Sequence, residues 1–129
     1  GLSTAVVADV LNRVRQPFNV NSLALAAACA ALKDAEYLEE GRRINESGMQ
    51  QLQQGFRELG LGWIESKGNF VCVDLAQDAA PVFQGLLREG VIVRPVANYG
   101  MPNHLRITIG LPEENTRLLE ALSKVLARG

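Results

Sequence analysis

The sequence predicts an α/β (α+β) two-layer sandwich with three or four strands covered by helices. Three observations predict it. Apolar residues recur at helical spacing from Val6 to Leu59, the period changes to two after Gly60-Leu61-Gly62, and a further helical stretch separates two groups of short strands. The resulting order, α-α-α-β-β-α-β-β-α, suits helices packed on a sheet rather than a doubly wound parallel sheet. At 129 residues the chain has the size of one domain. Folding at that length buries about two-thirds of the unfolded surface, enough for a core without metal or disulfide staples.

The elements follow in order. Val6, Val7, Val10, Leu11 and Val14 form one apolar stripe, which ends before Pro17, with Arg13 and Arg15 suited to the negative end of the helix. Asn21 or Ser22 caps a second helix rich in alanine (Ala24, Ala26, Ala27, Ala28, Ala30, Ala31), expected to run to about Glu40 and to be buried between layers or at a subunit contact. A third helix is expected over roughly Gly41 to Leu59, with Ile44, Met49, Leu52, Phe56 and Leu59 inward. Trp63–Glu65 reads as a short strand. Asn69–Leu75 is a clearer one, with Phe70, Cys72 and Asp74 on one face and Val71, Val73 and Leu75 on the other. Asp78 caps the next helix and Gly90 ends it. Val91–Arg94 is a strand stopped by Pro95, and Leu105–Ile109 is another. The last helix runs from about Pro112 to Ala127, acidic at its start (Glu113, Glu114) and basic at its end (Lys124, Arg128).

Composition excludes several classes. A net charge of −1, with 47% apolar and 21% charged residues, is that of a soluble globule and a poor phosphate-tracking nucleic-acid binder. No run of 18 apolar residues spans a membrane. The first residues, Gly1-Leu2-Ser3-Thr4, lack the pattern of a signal peptide, and the expected location is cytoplasmic. Cys29 and Cys72, with one histidine, make no zinc set; they read as buried thiols of a reducing compartment, with a bridge between them left open.

Few residues bear chemistry. Lys33, Lys67 and Lys124 each have an ordinary surface role, and no nucleophile elbow, phosphate loop or H-E-x-x-H motif is present. His104 has no evident base or metal partner and is assigned to orienting a loop. The arginines say more. In Leu105–Ile109 the apolar residues share one face, which leaves Arg106 on the open one. Arg94 stands just before Pro95, held extended by it. Two such arginines joined by a Gly/Pro/Tyr loop can converge on one carboxylate or phosphate, which the guanidinium fork binds through two donors; two solvated arginines at a sheet edge are the alternative.

The stretch 91–110, VIVRPVANYGMPNHLRITIG, together with RQPFNVN (15–21) and GNFVCVD (68–74), resembles the C-terminal part of the histidinol-phosphate aminotransferases, pyridoxal-phosphate enzymes of the aspartate-aminotransferase fold. The resemblance implies a fold-type I small C-terminal domain. Residues 1–22 would be a helix and linker from the large domain, with the passage between domains at Phe18, and residues 23–129 the small substrate-recognition domain. It implies amino transfer between L-histidinol phosphate and 2-oxoglutarate in histidine biosynthesis, in a cytoplasmic homodimer acting on small molecules, with no nucleic-acid or membrane partner. Arg106 matches the arginine that clamps the α-carboxylate, Arg94 one used near the phosphate, and Asn69 falls near the substrate cleft. None of the three lysines matches the one that holds pyridoxal 5′-phosphate. The chain is therefore expected to be a piece of a longer enzyme, inactive alone and without covalently bound cofactor. Leu111, where the family leads us to expect a Thr or Ser cap, departs from the pattern. Three alternatives remain: the same domain of an aminotransferase for another amino acid, a freestanding anion-sensing domain, and a structural interaction module.

Overall fold

A computed structural model describes residues 3–17 and 20–128, so the expectation placed on Phe18 lies outside the described residues. The chain divides into two compact units, Gly1–Leu38 and Glu39–Gly129.

The first unit holds α1 (Ala5–Val14) and α2 (Ser22–Ala31). The stripe on α1 forms as its spacing predicts but stays exposed: Val6 and Val14 are each 75% accessible. Asn21, rather than Ser22, caps α2, its Oδ1 accepting the Ala24 N–H at 2.7 Å. Three expectations fail here. The second helix stops at Ala31 instead of near Glu40, because Asp34 starts a new helix by accepting the Tyr37 N–H at 3.0 Å. The third helix, α3 (Ala35–Glu58), therefore begins six residues before Gly41. The alanines of α2 are exposed, and so is Cys29, so burial between layers fails within this unit, while a subunit contact is the expected setting that one chain leaves open. Both cysteines are free.

The second unit contains most of α3, then β1 (Gly62–Ile64), β2 (Phe70–Asp74), α4 (Ala79–Arg88), β3 (Arg94–Pro95), a 3-10 turn at Ala97–Tyr99, β4 (His104–Thr108) and α5 (Pro112–Leu126). The strands form one antiparallel sheet in the order β1-β2-β4-β3. Leu52 and Phe56 of α3, Val82 and Leu86 of α4, and Leu118 and Leu122 of α5 pack with Val71, Val73, Leu105 and Ile107 of the sheet in one core. Fully burying such a side chain contributes about 1.5–3 kcal/mol relative to exposure. The helices thus take one face of the sheet, as a two-layer sandwich requires.

Strand β3 differs from expectation. Val91–Val93 do not pair, because the Val91 N–H bonds back to the Leu86 carbonyl at 2.9 Å and completes the cap of α4, with Gly90 at a φ of 76°. The strand is Arg94–Pro95, so the proline lies inside it instead of stopping it. The ladder explains why this is tolerated. Ile109 N–H bonds Asn69 O and Leu75 N–H bonds Asn103 O, so the odd residues of β4 face β2 and the even ones face β3. Arg94 and Arg106 then form the bonded pair, and Pro95 turns its missing N–H outward, on an edge.

The corner from β4 into α5 is held by Asn115, only 2% exposed. Its Oδ1 accepts the Gly110 N–H at 3.0 Å, and its Nδ2 donates to Gly110 O at 3.1 Å and to Gln51 Oε1 on α3 at 3.2 Å. Leu111, at the N-cap, offers no side-chain acceptor. Glu114 Oε2 accepts the Leu111 N–H at 2.8 Å and satisfies the cap from the other direction.

Candidate functional site

Because strand side chains alternate, the face of the sheet turned away from α3, α4 and α5 carries Ile64 on β1, Phe70, Cys72 and Asp74 on β2, His104, Arg106 and Thr108 on β4, and Arg94 on β3. Arg94 and Arg106 stand directly opposite one another. Their side chains therefore leave the same face of the sheet, the placement that convergence on one anion would need. Cys72, half-buried, lies opposite Arg106 on the other side. Asn69 is exposed one residue ahead of β2; its carbonyl accepts the Ile109 N–H at 2.9 Å, and its side chain bonds neither arginine.

Like charges opposed across a strand pair repel. Among the described residues no carboxylate pairs with either guanidinium; the Arg106 guanidinium instead lies over the Phe70 ring, 4.9 Å from its centroid. The arrangement offers up to ten N–H donors and two uncompensated charges to an anion. A carboxylate, a phosphate or one of each would reduce the repulsion, and a guanidinium fork can bind either through two donors.

His104 stands across the β2–β4 ladder from Asp74, its Nε2 4.0 Å from Asp74 Oδ2, beyond hydrogen-bond length, while its Nδ1 is buried without a partner among the described residues. The Asp74 carboxylate accepts the Ala76 N–H at 2.9 Å, which ties it to the end of β2. The Phe70–Arg106 contact and the Asp74–His104 pair escape sequence reasoning for one reason: both are cross-strand neighbours more than 25 residues apart. The period-two pattern gives the face each side chain takes but not the residue opposite.

Residues 1–122 match the family model for class I and II aminotransferases. The chain belongs to the class I and II aminotransferases. It is 85% identical over its whole length to histidinol-phosphate aminotransferase 2 of Pseudomonas fluorescens (strain Pf0-1), and 74% identical over 98% of its length to that of Pseudomonas aeruginosa, covering 35% and 34% of those proteins. This aminotransferase chain thus spans about a third of the length of the curated relatives it matches. In three dimensions it resembles the histidinol-phosphate aminotransferase of Sinorhizobium meliloti, solved in complex with pyridoxal-5′-phosphate, with a TM-score of 0.85, 29% identity and coverage of 98% of this chain and 36% of that one.

Proposed function

We propose that the chain is the substrate-recognition part of a histidinol-phosphate aminotransferase, which exchanges an amino group between L-histidinol phosphate and 2-oxoglutarate. The carrying observation is the opposed Arg94–Arg106 pair on the open sheet face, two charges without a carboxylate partner among the described residues. Arg106 takes the α-carboxylate of glutamate or 2-oxoglutarate and Arg94 the phosphate of histidinol phosphate. Asn69, exposed at the head of β2, completes the rim. Residues 23–129 form the small domain. Residues 1–22 are the helix and linker of the large one; the exposed valine stripe of α1 supports that reading. The working enzyme is a cytoplasmic homodimer acting on small molecules, and the 129 residues alone do not transaminate. Family membership removes the ground for a freestanding anion sensor or a structural module.

Pyridoxal 5′-phosphate is the cofactor in this reading and supplies the electron sink for amino transfer. The three lysines of this chain, the groups that could hold it covalently, are placed as surface groups. Lys124 Nζ bonds Glu89 at 2.6 Å on the helical side of the domain, and Lys33 and Lys67 are exposed in the α2–α3 and β1–β2 connections. The chain's own groups therefore bind and orient substrate.

In the full-length enzyme Arg106→Ala should impair glutamate more than histidinol phosphate, which has no carboxylate, and Arg94→Ala should impair histidinol phosphate preferentially. Losing a charge-assisted bidentate contact costs about 1.5–3 kcal/mol, roughly 10- to 150-fold in kcat/KM. Unchanged glutamate turnover in Arg106→Ala, or unchanged histidinol phosphate turnover in Arg94→Ala, would refute the corresponding assignment.

A further inference from the structure

A clamp arginine must be aimed without its donors being used up. A carboxylate partner would aim the guanidinium but occupy the N–H groups that substrate needs. An aromatic face does otherwise: it attracts the cation through the ring quadrupole and accepts none of the in-plane N–H bonds. Arg106 has that kind of partner, its guanidinium carbon lying over the Phe70 ring at 4.9 Å, and no acid among the described residues bonds it.

The ring stands beside the turn at Gly68, where an added β-carbon would meet its Cε1 at 3.5 Å and its Cδ1 at 3.7 Å, so glycine leaves the ring its place there. That turn is pinned at three points. Asn45 Nδ2 on α3 donates to Gly68 O at 3.3 Å, the Gly68 N–H donates to Ser66 Oγ at 3.1 Å, and Asn69 O accepts the Ile109 N–H at 2.9 Å. Yet Phe70 is 37% exposed on the face turned away from α3, α4 and α5, outside the core. A large aromatic side chain that contributes nothing to the core and sits under a substrate-facing cation has a role other than packing.

We propose that Phe70 is a positioning residue for Arg106, holding the guanidinium by its face so that the whole donor edge is free for a carboxylate. The inference rests on the reading of Arg106 as the carboxylate clamp. The contact is the same before and during the chemical step, so its loss raises KM and leaves kcat alone.

The test is steady-state kinetics of the full-length enzyme with 2-oxoglutarate varied, on Phe70→Leu, Phe70→Met, Phe70→Tyr and Arg106→Lys. Phe70→Leu should raise KM for 2-oxoglutarate about two- to fivefold at unchanged kcat, as expected for an exposed cation–ring contact, and Phe70→Tyr should restore it. Phe70→Met supplies the same comparison should the leucine variant misfold. A raised KM in Arg106→Lys with an unchanged one in Phe70→Leu and Phe70→Met overturns the role of Phe70 alone. Equal KM increases in the tyrosine and leucine variants overturn it as well, since only the ring face is common to Phe and Tyr. An unchanged KM in Arg106→Lys removes the clamp reading and the inference with it.

Discussion

Replacing Asn115 by alanine probes how β4, and with it Arg106, is held. The side chain makes three bonds, two to Gly110 and one to Gln51. Gln51 Nε2 keeps its bonds to Pro112 O at 3.0 Å and Thr116 Oγ1 at 2.9 Å, and its Oε1, on a half-buried side chain, can turn to water, so the larger loss falls on Gly110, whose N–H and C=O are left part-buried without the Asn115 side chain. An orphaned buried group costs about 1–3 kcal/mol and each net bond is worth about 0.5–1.5 kcal/mol. Alanine in a helix recovers about 0.5 kcal/mol of propensity. The expected destabilisation is therefore about 2 kcal/mol, within the range of these terms. Trp63, the single tryptophan, sits in β1 and reports the unfolding of the same sheet by fluorescence. With a urea slope of about 1–3 kcal/mol/M, the midpoint should fall by roughly 1 M at constant slope. A loss under about 0.5 kcal/mol would refute the view that this clasp fixes the corner, since two lone backbone groups could not then have been stranded.

Two further outcomes concern the helix ends. Glu89 accepts from Lys124 Nζ at 2.6 Å and from Arg128 Nη1 at 3.1 Å; the Lys124 hydrogen bond leads in holding its carboxyl below the ordinary range, partial burial opposes it, and the two cations add to the lowering. A lowered folded-state pKa stabilises the fold above the unfolded value, about 4.3, and that contribution is lost as pH falls through the lowered one. Wild type should therefore melt above Glu89→Gln near neutrality and converge with it in acid, and a gap undiminished between about pH 7 and about pH 3 would contradict the ion pair. Leu111→Ser should raise Tm by a few degrees, about 0.5–1 kcal/mol, because an acceptor for the first helical N–H groups is added at an extended N-cap that now has none; Glu114 takes only the Leu111 N–H, so no rise would mean that water serves those groups as well as a hydroxyl.

What the sequence made legible was local. Alternation is a property of adjacent residues, so LRITI put Arg106 on the open face, and FVCVDL put Phe70, Cys72 and Asp74 on one side of their strand, before any partner strand was known. Asp78 and Gly90 marked α4 by their own chemistry. What depended on distant partners was hidden: that Arg94 pairs with Arg106, that Phe70 carries the guanidinium, that Asp74 meets His104. The α2–α3 break was misread because an alanine run continues a helix as readily as it ends one, and the aspartate that restarts the chain is a weak signal among many polar residues. Burial of α2 failed for a different reason. Small side chains say how closely a neighbour can approach, not whether this chain supplies one.

The outward-facing Pro95 has a consequence for assembly. A sheet that stacks edge to edge into fibres must offer a hydrogen-bonding row at both margins, and here the β3 margin is a two-residue strand that ends in a residue with no amide hydrogen. Growth through the opposite margin at β1 can join two molecules and then stops, so edge-to-edge addition of native sheets ends at a pair.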